Sequence, residues 1–190
     1  QLDSLSDFLA FGVAPSLLLY VWTLDEAGKL GWIATVILPV AAALRLARFN
    51  VAALSPDDRP AWKKKYFSGV PAPAGCGLAL LPAYIYQISP ETFDVFSFAT
   101  PLIALWTVIV AALMVSRIPT IALKSMHVPS RMIIPVMAAL GALIAALIHA
   151  PWIMLTILSV SYLITIPVVF HRYRQKEKQY QAQPEELASL

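Results

Sequence analysis

The chain has 190 residues, of which 59% are hydrophobic and 13% are charged, with a formal net charge of +3. Soluble domains are roughly 25% charged, and a soluble chain of this size could not bury so much apolar surface, so a soluble globular domain is excluded. The single cysteine, Cys76, excludes an intrachain disulfide.

Apolar segments follow one another along the whole chain, most of them close to the roughly 20 residues that cross the hydrocarbon core as a helix. Alternation of period two is absent, so helices are favoured over a closed barrel. We predict an all-α, polytopic transmembrane bundle of about six helices over residues 1–171, followed by a polar cytoplasmic tail over residues 172–190. The apolar segments lie at residues 5–24, 31–54, 70–88, 99–116, 131–149 and 151–171.

The distribution of Lys and Arg predicts the orientation of this bundle. Six basic residues fall within 45–65, three within 117–131 and four within 172–178, whereas the alternate connections contain only Lys29. Cytoplasmic loops carry the excess of basic residues in membrane proteins, so both ends of the chain are predicted to be cytoplasmic. Trp22, Trp32 and Trp152 fall near the opposite boundary, where aromatic rings anchor helices.

Two carboxylates stand at the start of the first segment. Asp3 and Asp7 are four residues apart and therefore share one helix face, where like charges repel unless a cation neutralises them. Mg²⁺ takes one or two carboxylates together with substrate phosphates, so the pair predicts a divalent-metal site. The alternative is that Asp3 lies in solvent at a helix start, where acids favour the helix dipole.

Arg45 and Arg48 form a second polar group, three residues apart near the cytoplasmic end of the second segment, with Asn50 following. Guanidinium groups bind phosphate or carboxylate in bidentate geometry, although ordinary snorkelling to the interface is an open alternative. Acids that bind metal and guanidinium groups at one membrane face favour a reaction on a phosphate ester of a lipid.

Several motifs resemble the CDP-alcohol phosphatidyltransferase family, whose signature is D-x2-D-G-x2-A-R-x8-9-G-x3-D-x3-D. Asp3 and Asp7 match its last two aspartates, and the sequence continues as F-x-x-F-G-V-A-P. The remaining motifs are similar to the membrane-type branch that makes phosphatidylserine in bacteria. They are L-R-L-A-R-F-N at 44–50, Y-F-S-G-V-P-A-P-A at 66–74 and M-V-S-R-I-P-T at 114–120, followed by Lys124.

This resemblance implies transfer of a phosphatidyl group from CDP-diacylglycerol to L-serine, with release of CMP, at the cytoplasmic face of a bacterial inner membrane. It implies two Mg²⁺ or Mn²⁺ ions, with Asp3 and Asp7 as metal ligands and Asp7 also as the general base. Arg45, Arg48 and Asn50 are then expected to bind the serine carboxylate or a phosphate. Arg117 and Lys124 are expected to hold lipid phosphate or to be ordinary cytoplasmic charge. A homodimer without nucleic-acid partners is also expected.

The resemblance is incomplete, because the first half of the signature, with its two other aspartates, is absent from this chain. We therefore expect a chain truncated at its N-terminus, from a parent of about eight helices, that holds half of the metal ligands. Two alternatives remain open. One is a sister transferase acting on choline, inositol or glycerol phosphate, and the other is a transporter or proton relay. The segment at 66–74 is either a turn that starts a helix or a lid over the alcohol substrate.

Overall fold

The fold is described from a computed structural model, which describes residues 2–54, 63, 66–91, 99–121 and 132–182. The described part consists of helices and one short pair of strands. A π-helical turn (Leu9–Val13) joins the first two helices, and a 3₁₀ turn (Leu24–Ala27) precedes the third. The helices are α1 (Leu2–Phe8), α2 (Ala14–Trp22), α3 (Lys29–Leu54), α4 (Ala72–Ala79), α5 (Leu81–Ile88), α6 (Ala99–Val115), α7 (Ile133–His149) and α8 (Pro151–Ala182), and the strands are β1 (Tyr66–Ser68) and β2 (Pro119–Ile121).

The predicted all-α membrane bundle is confirmed, with a helical passage at each of the six apolar segments. Within the described residues, three helices are long and apolar enough to cross a membrane, namely Leu2–Trp22, Lys29–Ala52 and Pro151–Tyr180. Helices α6 and α7 are apolar but shorter. Many large apolar side chains on these helices point outward, which suits a surface that faces lipid tails instead of water.

Proline positions explain the irregularities of the first passage. Pro15 has no N–H, so the helix before it cannot continue its regular hydrogen-bond ladder. The N–H of Ala14 instead reaches the carbonyl of Leu9, five residues back, and the π-helical turn results. In α3, Pro39 likewise leaves the carbonyl of Thr35 without its usual donor, and the hydroxyl of Ser16 on α2 donates to that carbonyl. The carbonyl that a proline leaves without a donor in one helix thus accepts a hydrogen bond from the neighbouring helix.

The third passage is divided in the same way. Pro82 stands in the first turn of α5 and cannot donate to the carbonyl of Leu78, so the passage breaks into α4 and α5 at Leu80. The indole Nε1 of Trp106 on α6 donates to that carbonyl at 2.7 Å. Within an apolar bundle a free carbonyl is costly, so this hydrogen bond stabilises the packing of α6 against α4.

The segment at 66–74 begins as strand β1, which pairs antiparallel with β2, and this pairing was not predicted. Gly69 follows with φ 80°, and its N–H donates to the carbonyl of Ile118 at 2.8 Å. A Cβ at Gly69 would lie 2.7 Å from the carbonyl oxygen of Ser116, so a side chain does not fit. Helix α4 then starts after Pro71, which agrees with the predicted turn at a helix start.

Aromatic pairs mark the end of the bundle opposite Asp3. Trp22 packs on Tyr86 with ring centroids 5.3 Å apart, and Tyr20 meets Trp32 edge-on at 5.8 Å. Trp152 at the start of α8 lies 6.3 Å from the ring of Tyr84. This grouping agrees with the predicted aromatic belt, whose rings favour the interface between lipid and water.

Helix α8 continues through the predicted start of the polar tail and ends at Ala182. Two contacts attach this extension to the segment before α4. Lys63 forms an ion pair with Glu177 at 3.2 Å, and the ring of Tyr66 meets that of Tyr173 edge-on at 5.3 Å. The polar part of α8 therefore contacts Lys63 and strand β1.

Candidate active site

The two acids lie on α1, at the end of the bundle away from the aromatic pairs. Asp3 is exposed and Asp7 is half-buried. Both residues are in regular α-helix, and the π-helical turn begins two residues after Asp7. The spacing of four residues puts their carboxylates on adjacent turns of one face. The π-helical turn lies next to the predicted site, as such turns often do.

Two contacts pair α1 and the π-helical turn that follows it with α3, in an antiparallel arrangement. The side-chain amide of Asn50 donates to the hydroxyl of Ser4 at 3.2 Å, one residue from Asp3. Further along, a Cβ placed on Gly12 would lie only 2.9 Å from the Cβ of Ala42, so the two backbones nearly touch. Of the predicted site residues, Asn50 is thus brought directly to the acidic helix.

The same contacts give the register between the two helices. In an antiparallel pair the two residue numbers at one level have a constant sum, which is 54 for both Ser4–Asn50 and Gly12–Ala42. Asp7 therefore lies at the level of residue 47 of α3, to within about one residue because of the π-helical turn. Arg45 and Arg48 are on either side of that level. The acid pair and the two arginines therefore lie at the same depth of the bundle on neighbouring helices.

Arg48 has a structural partner. Its Nη1 donates to the carbonyl of Val115, the last residue of α6. The last carbonyls of a helix lack partners within the helix, and a basic side chain satisfies them well. Arg48 therefore ties the end of α6 to α3, and this use accounts for one of its five N–H groups.

Arg45 is half-buried and faces the interior of the bundle, where its electrostatic neighbour is Tyr162 on α8. Sequence reasoning did not select Tyr162. The available signal was a tyrosine in the middle of the last apolar segment, far from the predicted aromatic belt. Its proximity to Arg45 follows only from the packing of α8 against the rest of the bundle.

Arg117 is exposed between α6 and β2, and Lys124 lies outside the described residues. Arg117 and Lys124 stay predictions as phosphate-binding residues.

The acid pair suits a divalent cation. Its donors are carboxylate oxygens, which Mg²⁺ and Mn²⁺ prefer, and Mg²⁺ typically takes one or two carboxylates and leaves its other positions to water and substrate phosphate. Among the described residues, no group of three or more His, Cys, Asp or Glu side chains gathers around a common point. Two carboxylates are compatible with a metal that substrate phosphates would help to hold, so the cation stays a prediction.

Comparisons with known proteins agree with the motifs. Residues 131–167 match the family model described as CDP-alcohol phosphatidyltransferase 2. The chain is 34% identical to the CDP-diacylglycerol–serine O-phosphatidyltransferase of Mycobacterium leprae, over 92% of this chain and 56% of that protein. It is 30% identical to the Mycobacterium bovis protein of the same name, over 92% of this chain and 59% of that protein. A yeast protein of that name, from Saccharomyces cerevisiae, is 39% identical over 44% of this chain and 30% of its own length.

The chain thus spans a little over half the length of its mycobacterial relatives. These matches confirm the resemblance to the CDP-alcohol phosphatidyltransferases that the motifs predict. The family-model match lies in α7 and α8, whereas the motifs lie mostly in the first 125 residues, so two separate parts of the chain indicate the same family.

Proposed function

We propose that this relative of the CDP-alcohol phosphatidyltransferases transfers a phosphatidyl group from CDP-diacylglycerol to L-serine, giving phosphatidylserine and CMP. The enzyme acts in the bacterial inner membrane with its active site facing the cytoplasm. The names of the curated relatives support the choice of substrates, and the basic residues near one end of the bundle support the orientation.

One observation carries the proposal, namely the antiparallel pairing of α1 with α3. The Ser4–Asn50 contact and the close approach at Gly12 bring the acidic face of α1 to the level of Arg45 and Arg48. A phosphatidyl donor carries two phosphates and an amino-acid acceptor carries a carboxylate. Cationic side chains beside a carboxylate pair suit both substrates at headgroup depth.

In the proposed reaction, the serine hydroxyl attacks the phosphorus that bears the diacylglycerol. The Asp7 carboxylate accepts the hydroxyl proton, a new P–O bond forms to serine, and the P–O bond to CMP breaks with its electron pair leaving on CMP. General-base catalysis of this kind contributes about 10²–10⁴-fold to the rate. Asp7 is half-buried, so its carboxylate keeps access to a substrate that enters from the membrane surface.

Asp3 and Asp7 would hold the divalent cation, Mg²⁺ or Mn²⁺. When bound, such a cation neutralises negative charge on the pyrophosphate oxygens of the donor. Arg45, Arg48 and Asn50 orient the substrates from α3, and Arg48 also holds the end of α6 through Val115. The homodimer stays a prediction, which mass photometry of the detergent-solubilised protein measures directly.

The test is serine-dependent release of CMP from CDP-diacylglycerol by the full-length gene product, with Mg²⁺ or Mn²⁺ present or chelated. We expect release to require both serine and the cation, and Asp7→Asn to reduce it at least 10²-fold while the protein still inserts into the membrane. Release that depends equally on choline, inositol or glycerol phosphate would contradict the choice of acceptor. Turnover by the Asp7→Asn variant close to that of the wild type would contradict the general-base role.

A further inference from the structure

Two polar atoms lie buried between α3 and α8 with their hydrogen-bonding capacity unused. Among the described residues, neither the Nε of Arg45 nor the hydroxyl of Tyr162 has a hydrogen-bond partner. A buried polar group left unsatisfied costs about 1–3 kcal/mol, and native proteins keep few of them. Two such atoms on electrostatic neighbours indicate a place where a ligand supplies the missing partners.

Strand β2, which pairs with β1, lies beside the Tyr162 hydroxyl. Thr120 on β2 is 2% exposed and lies beside Tyr162, whose hydroxyl is without a hydrogen-bond partner among the described residues. The Thr120 hydroxyl donates instead to the carbonyl of Gly69 at 2.9 Å. The pairing of β1 with β2 holds the backbone of Thr120 opposite that of Phe67, so β2 forms a fixed side of this place.

The positive charge of Arg45 also has no counter-ion among the described residues. Within the part of the chain that the structure describes, no carboxylate forms an ion pair with Arg45, although its guanidinium is half-buried. A partly buried cation without a counter-ion is unfavourable, so an anionic ligand stabilises it. The electrostatic neighbour of Arg45 here is a neutral phenol, so a ligand with a single negative charge would balance the guanidinium.

The location connects the place to the proposed reaction. Arg45 is two residues from the level of Asp7 on α3, about 3 Å along the helix axis. This level is compatible with a small molecule whose hydroxyl meets Asp7 and whose second group reaches Arg45. In an amino-acid alcohol that second group is a carboxylate, which accepts two hydrogen bonds side by side.

We propose that Arg45 and Tyr162 together bind the carboxylate of the acceptor, and that the Tyr162 hydroxyl is a determinant of specificity for an amino acid over an alcohol without a carboxylate. This inference rests on the proposed transfer to serine and adds Tyr162 to its acceptor site. The Nε–H of Arg45 and the phenolic O–H each donate to the carboxylate, which satisfies both unpaired atoms at once.

The test compares Tyr162→Phe with the wild type in the full-length protein, using L-serine and serinol, the analogue in which a hydroxymethyl group replaces the carboxylate. We expect kcat/KM for L-serine to fall about tenfold through KM, since a hydrogen bond to a charged group is lost. The constants for serinol, measured as an acceptor or as a competitive inhibitor, stay unchanged. Arg45→Lys keeps the positive charge but loses the Nε–H. We expect it also to lower the preference for L-serine over serinol. Tyr20→Phe, at the opposite end of the bundle beside Trp32, is the matched control and leaves the kinetic constants for both L-serine and serinol unchanged.

The outcomes separate the possible failures. Equal loss for serine and serinol, or no change for either, would overturn the role of Tyr162. If Tyr162→Phe raised the KM for CDP-diacylglycerol and left the KM for L-serine unchanged, the bound anion would be a lipid phosphate. That result would also overturn the role of Tyr162. Absence of serine-dependent CMP release by the wild type would instead refute the proposed function itself.

Discussion

The close approach at Gly12 between α3 and the π-helical turn that follows α1 permits a sharp test of the site geometry. In Gly12→Ala the new Cβ would lie 2.9 Å from the Cβ of Ala42 and 3.4 Å from the Cα of Pro39. Carbon atoms prefer separations of about 3.5–4.0 Å, so the helices must move apart by about 1 Å. Neither neighbouring atom belongs to a rotatable side-chain end, so the backbone itself has to shift.

The expected cost has two components. Overpacking of this kind typically destabilises a protein by about 1–3 kcal/mol, which lowers the melting temperature of a chain of this size by about 2–12 °C. The same 1 Å displacement carries Asp7 away from Arg45 and Arg48, and a misplacement of that size costs on the order of 10²-fold in rate. We therefore expect a larger loss in kcat/KM for serine-dependent CMP release than the loss of stability explains.

The assay uses the full-length protein in detergent, with CMP release and thermal unfolding measured on the same preparations. The double variant Gly12→Ala/Ala42→Gly removes the opposing methyl group and recovers most of the lost activity. Gly141→Ala on α7 is the matched control, because no atom lies within 4 Å of the position of its new Cβ. Wild-type activity in Gly12→Ala, or no recovery in the double variant, would refute the proposed pairing of the two helices.

Two further predictions concern packing and pH. Trp106→Phe leaves the Leu78 carbonyl without its donor, so it should lower the free energy of unfolding by about 1–3 kcal/mol in thermal unfolding. Trp152→Phe, at the exposed end of α8, is the control and has a smaller effect. Equal stability of Trp106→Phe and the wild type would contradict this prediction. The hydrogen bond to Glu177 raises the pKa of Lys63, so the stabilisation is complete below the ordinary lysine pKa and is lost as the pH rises through the higher pKa of the folded protein. Lys63→Ala should therefore lower the stability by about 0.2–1 kcal/mol at pH 7 and by nothing at a pH well above that pKa, and a difference that grows with pH would argue against the ion pair.

Much of the architecture follows from the sequence, because the membrane imposes a simple rule. Every backbone donor and acceptor within lipid needs a partner, so each apolar run of sufficient length becomes a helix, and all six runs do. The acid pair and the arginine pair were equally visible, since spacings of four and three residues place side chains on one helix face whatever surrounds them. The local chemistry of Asp3, Asp7, Arg45 and Arg48 therefore needed no tertiary information.

The partners of these residues were decided by tertiary structure. The contact of Ser4 with Asn50 joins residues 46 apart in sequence, and the hydrogen bond from Arg48 reaches a residue 67 positions away. Helical periodicity carries no information about which helix lies beside which. That information comes from close contacts such as Gly12 with Ala42, and from carbonyls freed by proline that accept a donor from a neighbouring helix. Tyr162 was not selected from the sequence, because only the packing of α8 places this tyrosine of an apolar run beside the guanidinium of Arg45.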